Sequence, residues 1–153
     1  LSDGGFTVEP IPLVWVKPGP GQVNHPDSRF GSGYEACFFC HKGKRPLLRQ
    51  GQSNVLNHDP VPSAKKIHPV EKPTSLIRQL IETSTAPSEI VLDFFGGSGS
   101  TAEAAIQLQR DFRVIEKDTA YYAGIVERLS GVAKTESQKT LQEEMQELLD
   151  EED

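Results

Sequence analysis

Cysteine is scarce in this 153-residue chain, with two in all, and long apolar runs are missing. No stretch approaches the roughly 20 apolar residues that a membrane span needs, and nothing near the start has the charged-then-apolar build of a secretory signal. Two reduced thiols without such a signal suit a reducing compartment, so a cytoplasmic protein is expected. Positive charge is also short: 16 Lys and Arg stand against 22 Asp and Glu, for a net charge of −6. That balance argues at first against a nucleic-acid partner, because phosphate binding uses Lys and Arg. A hydrophobic fraction of 36% and a charged fraction of 25% are those of a soluble globular protein about one domain long. The first residue is Leu1 rather than a methionine, which fits a trimmed or excised piece.

The distribution of charge weakens the objection to nucleic acid. Residues 1–75 carry nine Lys or Arg and six Asp or Glu, whereas residues 134–153 carry two and eight. The acidity therefore sits mostly in the tail. Basic residues gather at Lys42, Lys44, Arg45 and Arg49 and again at Lys65 and Lys66, either as a contact surface or as solvated charge. Cys37, Cys40 and His41 form Cys-Phe-Phe-Cys-His, which matches a haem attachment pattern and half of a zinc site. Its apolar, aromatic setting suits a buried strand better than an exposed attachment loop, and no second cysteine pair completes a zinc site. No metal is expected.

Strands are predicted over Ile11 to Lys17 and Glu35 to His41, as neighbours joined by a long connection. Residues 42–67 have little periodicity and are predicted to be an extended basic loop. Thr74 is a candidate cap for a helix in which Leu76, Ile77, Leu80 and Ile81 recur at helical spacing. A short strand then runs from Glu89 to Phe95, a helix from Thr101 to Gln109 whose alanines permit close packing on the sheet, and a strand from Phe112 to Glu116. Asp118 offers a cap for the next helix, with Tyr121, Tyr122, Ile125, Val126 and Leu129. Such alternation predicts a parallel α/β sheet. From Thr135 onward Leu141, Met145, Leu148 and Leu149 stripe a charged helix that is solvated or packs on a partner, with a frayed end.

The most informative run is Val91 to Ala105, VLDFFGGSGSTAEAA, where a strand pattern meets a glycine-rich turn and then a helix. Gly97, Gly99 and Ala102 fit G-x-G-x-x-[G/A], and Glu116 follows near the distance at which the dinucleotide fingerprint places its acid. A dinucleotide, a phosphorylated nucleotide and S-adenosylmethionine compete for such a loop. A pyrophosphate beside Asp93 would be disfavoured, and Ser100 stands where a phosphate loop would carry lysine. An acid at that place suits a ligand that is cationic near the turn, as the ammonium and sulfonium of S-adenosylmethionine are. Glu116 could accept hydrogen bonds from two ribose hydroxyls, or be an ordinary exposed acid at a strand end.

These residues carry a resemblance. HPVEKP before a helix, VLDFFGGSGST, and FRVIEKDTAYYAGIVERL together resemble the C-terminal part of the DNA amino-methyltransferases that act on adenine N6 or cytosine N4, in the circularly permuted order of the beta group. That family's signature is similar to D-[P/F]-F-x-G-[S/T]-G-T-T, which Asp93, Phe94, Phe95, Gly97, Ser98, Gly99, Ser100 and Thr101 follow, with Ser100 in place of a usual threonine. Upstream, GGFTVEPIPLVWVKPGP and RFGSGYEACFFCHKG resemble the segment between catalytic motif and cofactor half. The resemblance covers residues 4–130 and implies a Rossmann-like fold, bacterial or phage origin, a place in restriction-modification, and double-stranded DNA as substrate. It implies that Asp93 meets the methionine amino end, that the Phe95 to Thr101 turn wraps the cofactor and that Glu116 holds the ribose. His68, Lys72, Pro73 and Thr74 would line the pocket wall, unless Lys72 is a surface lysine. Residues 1–134 would then be the C-terminal portion of the methyltransferase domain, with the basic segment 42–66 toward DNA, 68–130 the cofactor half, and 135–153 an acidic tail.

One expected element is missing. Base methylation in this family uses a flipped base held by a motif resembling [D/N/S]-P-P-[Y/F/W], and this sequence has none. Asp59-Pro60-Val61-Pro62 and Glu9-Pro10-Ile11-Pro12 come nearest, and neither has adjacent prolines followed by an aromatic. No catalytic residue is therefore assigned. The family's sheet places the strand with that motif beside the first cofactor strand, so this chain would supply both flanks of the sheet and lack its middle. Unpaired edges and bare apolar faces are the expected consequence, with the missing strands in a longer polypeptide or on a dimeric or complementing chain. The alternative is a non-catalytic methyltransferase-like module that binds DNA or a protein through its basic segment.

Overall fold

The computed structural model describes residues 2–19 and 27–150, with side chains from 3 to 135. Large and β-branched residues at Leu13 to Val16 make the central strand of the first half. There β1 (Thr7–Val8), β2 (Leu13–Val16), β3 (Tyr34–Cys37), β4 (Cys40–His41) and β5 (Val55–Asn57) form two sheets. β2 is the middle strand of the larger one, antiparallel to β3 and parallel to β5, with Trp15 paired to Glu35 and Leu56. β1 and β4 form a separate antiparallel pair.

Two expectations fail here. The strand predicted from Glu35 to His41 breaks at Phe38 and Phe39, because β3 follows β2 whereas β4 turns to β1. Cys37 and Phe38 are consequently exposed rather than buried. The segment 42–67, predicted to be loop throughout, contains β5 and a 3-10 turn at Ser63–Lys65. A three-residue strand leaves no readable period, and β5 exists because β2 offers a parallel edge.

In the second half α1 (Thr74–Ser84), β6 (Ile90–Asp93), α2 (Ser100–Gln107) and β7 (Asp111–Val114) alternate as predicted, and β6 and β7 pair in parallel. Pro73, with extended backbone, is the cap position of α1. Thr74, expected to cap, is instead the first helical residue. Asp118 does cap α3 (Thr119–Asp150): its Oδ1 accepts from the Ala120 and Tyr121 amides at 2.8 and 3.1 Å. α3 runs without a break past Thr135, so the expected boundary between a sheet-packing helix and a separate tail helix is absent. The side chains of Leu141, Met145, Leu148 and Leu149, and residues 151–153, lie outside the described residues.

α1 is the shared wall of two cores. Leu76 and Leu80 pack with Leu13, Trp15 and Leu56 on the first sheet, whereas Ile77 and Ile81 pack with Val91, Ala104, Ala105, Leu108 and Phe112. Ala102, Ala104 and Ala105 are fully buried, which lets α2 approach β6, β7 and both neighbouring helices closely. The other side of β6 is bare, with Ile90 61% and Leu92 53% exposed. Among the described residues β6 is hydrogen-bonded along one edge only. Val16, Tyr34 and Val55 likewise leave the outer face of the first sheet exposed. No described helix is long and apolar enough to cross a membrane.

Candidate functional site

The loop between β6 and α2 is shaped by three glycines for two different reasons. Gly97 and Gly99 have φ of 53° and 78°, a left-handed backbone that side chains rarely adopt. Gly96 is needed for space: a Cβ there would lie 2.5 Å from Val114 Cγ1 and 3.0 Å from Ile125 Cδ1. Backbone bonds from Gly96 N to the Ile115 carbonyl and from Gly99 N to the Gly96 carbonyl, both 2.8 Å, lock the turn onto the end of β7. Gly99 then caps α2.

Two carboxylates stand on either side of this loop. Asp93, at the end of β6, accepts from the Phe95 amide at 2.9 Å and from the Thr101 hydroxyl at 2.7 Å. Glu116, just past β7, accepts from the Gly97 amide at 2.7 Å and from the Asp118 amide at 2.8 Å. Those two amide hydrogen bonds hold the Glu116 carboxyl below the usual carboxylate range. Each carboxylate oxygen keeps a second lone pair, so both acids retain acceptor capacity toward a ligand. Phe94 and Phe95 are exposed, Phe95 by 89%, while Ser98 and Ser100 are buried within the turn.

The segment 68–74 divides between two places. His68 lines the loop: a Cβ on Gly97 would lie 3.5 Å from its ring, and it meets Tyr121 edge-on at 4.3 Å. Tyr121 is thus a packing partner, and Tyr122 is exposed. Lys72 is held on the first sheet, 2.7 Å from Glu35 and over the Trp15 ring. Pro73 is buried at the head of α1, and Thr74 donates to Glu103 at 3.2 Å. Beneath the loop lies a group that spacing alone did not single out: Arg128 bonds Glu71, Glu103, Thr74 and the Ser98 carbonyl. Burial opposes its charge, but the hydrogen bonds and charges of Glu71 and Glu103 outweigh that and raise its proton affinity.

Other candidates are occupied differently. Arg45 pairs with Glu89 at 2.6 Å and Arg49 with Glu82 at 2.8 Å, so the basic segment presents less free charge than its sequence suggests. His41 contacts Glu9 and the Gly43 carbonyl. Asp59 follows β5, which pairs with β2 and not with β6. A largely apolar cavity of about 690 Å³ lies apart from the loop, lined by Glu9 and by Leu13, Phe38, Phe39, Leu56 and Leu80, and neither Asp93 nor Glu116 reaches it.

Comparison with known proteins agrees with this geometry. The family model for the N6 and N4 type, described as DNA methylase, matches residues 4–127. The chain is 36% identical to YubD of Escherichia coli (strain K12) over 108 residues, which is 71% of this chain and 47% of that protein. It is 40% identical to the type II methyltransferase M.HindIII of Haemophilus influenzae over 90 residues, 57% of this chain and 29% of that protein. Among solved structures, the complex of M1.HpyAVI with S-adenosylmethionine superposes with a TM-score of 0.70 at 28% identity, covering 84% of this chain and 65% of that one. PvuII DNA methyltransferase, cytosine-N4-specific, shares the fold with a TM-score of 0.63 at 22% identity, covering 79% and 54%. The chain therefore spans less than two thirds of each of these proteins. With its strand, glycine loop and flanking acids in place and the match extending over most of its length, the chain belongs to the DNA methylase family.

Proposed function

We propose that this chain is the cofactor-binding part of an S-adenosylmethionine-dependent DNA methyltransferase of the beta group, acting on adenine N6 or cytosine N4. The observation that carries the reading is the pair of carboxylates flanking a glycine turn. Asp93 and Glu116 already accept the turn's own N–H and O–H groups and would repel a pyrophosphate, whereas a cationic ligand is favoured there. The residues fit the cofactor: Asp93 would take the ammonium, Glu116 the ribose hydroxyls, and the Phe95 to Thr101 turn with Phe94, Gly97, Ser98, Gly99 and Ser100 would surround it. His68 would form the wall opposite Gly97, with Pro73 and Thr74 behind it. Bound there, S-adenosylmethionine would supply a methyl group activated by its sulfonium.

Base recognition and attack belong to residues outside this sequence. The absent [D/N/S]-P-P-[Y/F/W] motif, the free edge of β6 and the exposed Ile90 and Leu92 support a sheet whose middle strands come from a longer polypeptide or a second chain. Double-stranded DNA would then approach with Lys42, Lys44, Lys65 and Lys66 as the cations of the 42–66 segment.

Calorimetric titration with S-adenosylmethionine and with NAD tests the reading. S-adenosylmethionine is expected to bind and NAD not, and the reverse result would sink the proposal. The polypeptide alone is expected to transfer no labelled methyl to duplex DNA; transfer would contradict the division of labour.

A further inference from the structure

Arg128 lies beneath the glycine loop and ties that loop to the segment before α1, to α1 and to α2. Its guanidinium donates to Glu71 Oε1 at 2.7 Å, to the Ser98 carbonyl at 3.0 Å and to Thr74 Oγ1 at 3.1 Å, and its Nε donates to Glu103. Those four groups belong to the segment before α1, the loop, the first turn of α1, and α2. Glu71 is itself 7% exposed, and its other oxygen accepts from the Ile67 amide at 2.7 Å, so the chain leading into His68 hangs on the same network. A guanidinium is a rigid planar fork whose donor directions are fixed. It therefore sets the spacing of the groups it joins, which a flexible ammonium would not.

We propose that Arg128 is a positioning residue for the cofactor: it fixes the Ser98 carbonyl and the His68 to Pro73 segment relative to one another, and so sets the distance between the two walls of the site. This rests on the reading of the loop as the S-adenosylmethionine site. A purely structural network would change stability and leave the affinity of folded protein unaltered. A positioning network changes affinity in protein that remains folded.

Arg128→Met alone would strand the buried Glu71 carboxylate and the partly buried Glu103 carboxylate and endanger folding. Removing all three charges together, as Arg128→Met with Glu71→Gln and Glu103→Gln, leaves no unpaired charge and keeps side-chain oxygens to accept from the Ile67 amide and the Thr74 hydroxyl. Arg128→Lys keeps the charge and loses the fork. Each is made in the whole polypeptide that carries this sequence, checked for cooperative thermal unfolding, and titrated with S-adenosylmethionine by calorimetry. The triple variant is expected to bind about 10- to 100-fold more weakly than wild type, in keeping with the cost of small misplacements at a site, and Arg128→Lys to fall between. A folded triple variant with wild-type affinity overturns the positioning role and leaves the cofactor reading standing. A wild type that binds NAD and not S-adenosylmethionine overturns the cofactor reading and the positioning role with it.

Discussion

The β3–β2–β5 sheet and the β6–β7 pair pack on different faces of α1, and they are held in different ways. Around β6 and β7 the most buried residues are alanines, and the glycine loop is closed by backbone bonds to the end of β7. Around β2 the anchor is one large side chain, Trp15, which packs on Leu56 and Leu76 and donates its indole N–H to the His58 carbonyl at 2.7 Å. Lys17 and Lys72 both reach Glu35 and lie over the Trp15 ring. Burial raises the Glu35 proton affinity, yet the hydrogen bonds and charges of the two lysines prevail and hold its carboxyl below the usual range. The first half is therefore vulnerable to deletion, because its small core is built around one large side chain. The second is vulnerable to addition, because close approach of small residues defines it.

Trp15→Ala should show the first vulnerability as the largest effect. Removing a buried aromatic costs about 3–5 kcal/mol, measurable by urea denaturation, and it also strands the His58 carbonyl. Hydrogen exchange should show the Val14 and Val16 amides losing protection before those of Arg113 and Ile115, which face β6. Equal loss in both halves would show that α1 transmits the damage and that the halves are one unit.

Gly96→Ala should show the second at smaller size. The added Cβ meets Val114 Cγ1 at 2.5 Å and Ile125 Cδ1 at 3.0 Å, and overpacking of this kind costs about 1–3 kcal/mol. Shortening the opposing residue in Gly96→Ala/Val114→Ala should recover part of that loss, since residues in contact couple. A double variant no better than the sum of the singles would place the cost elsewhere.

What could be read from sequence follows the same division. The strand, turn and helix around Asp93 are encoded in adjacent residues, and the alanines of α2 predicted its close packing, so this half matched expectation. β5 and the break at Phe38 were hidden because each depends on a distant partner, β2 and β1 respectively. Arg128 was hidden for another reason. In a charged helix it reads as a solvated residue, but it stands three positions after the buried Ile125 and so on the same helical face, a signal that would have placed it inward. Glu71 between Val70 and Lys72 carried no such mark, and its burial is decided by a partner 57 residues away. Gly96 fell at a variable position of the signature and has no positive φ; its contacts with Val114 and Ile125 reveal why it is glycine.

The smallest expected effect concerns the loop's own carboxylate. Amide hydrogen bonds from Asp118 and Gly97 hold Glu116 below its ordinary value of 4.5. A group whose folded pKa is depressed contributes its stabilisation in full above the unfolded pKa, and loses it as pH falls through the folded one. The Gly97 and Asp118 amide resonances of this chain should therefore titrate together, with a midpoint below pH 4.5. In Glu116→Gln both shifts should become flat across that window while the remaining carboxylates still titrate. A common midpoint at or above the ordinary value would mean that these bonds do not hold the loop in solution, and that the turn around Gly97 is set by its backbone and its contact with His68 alone.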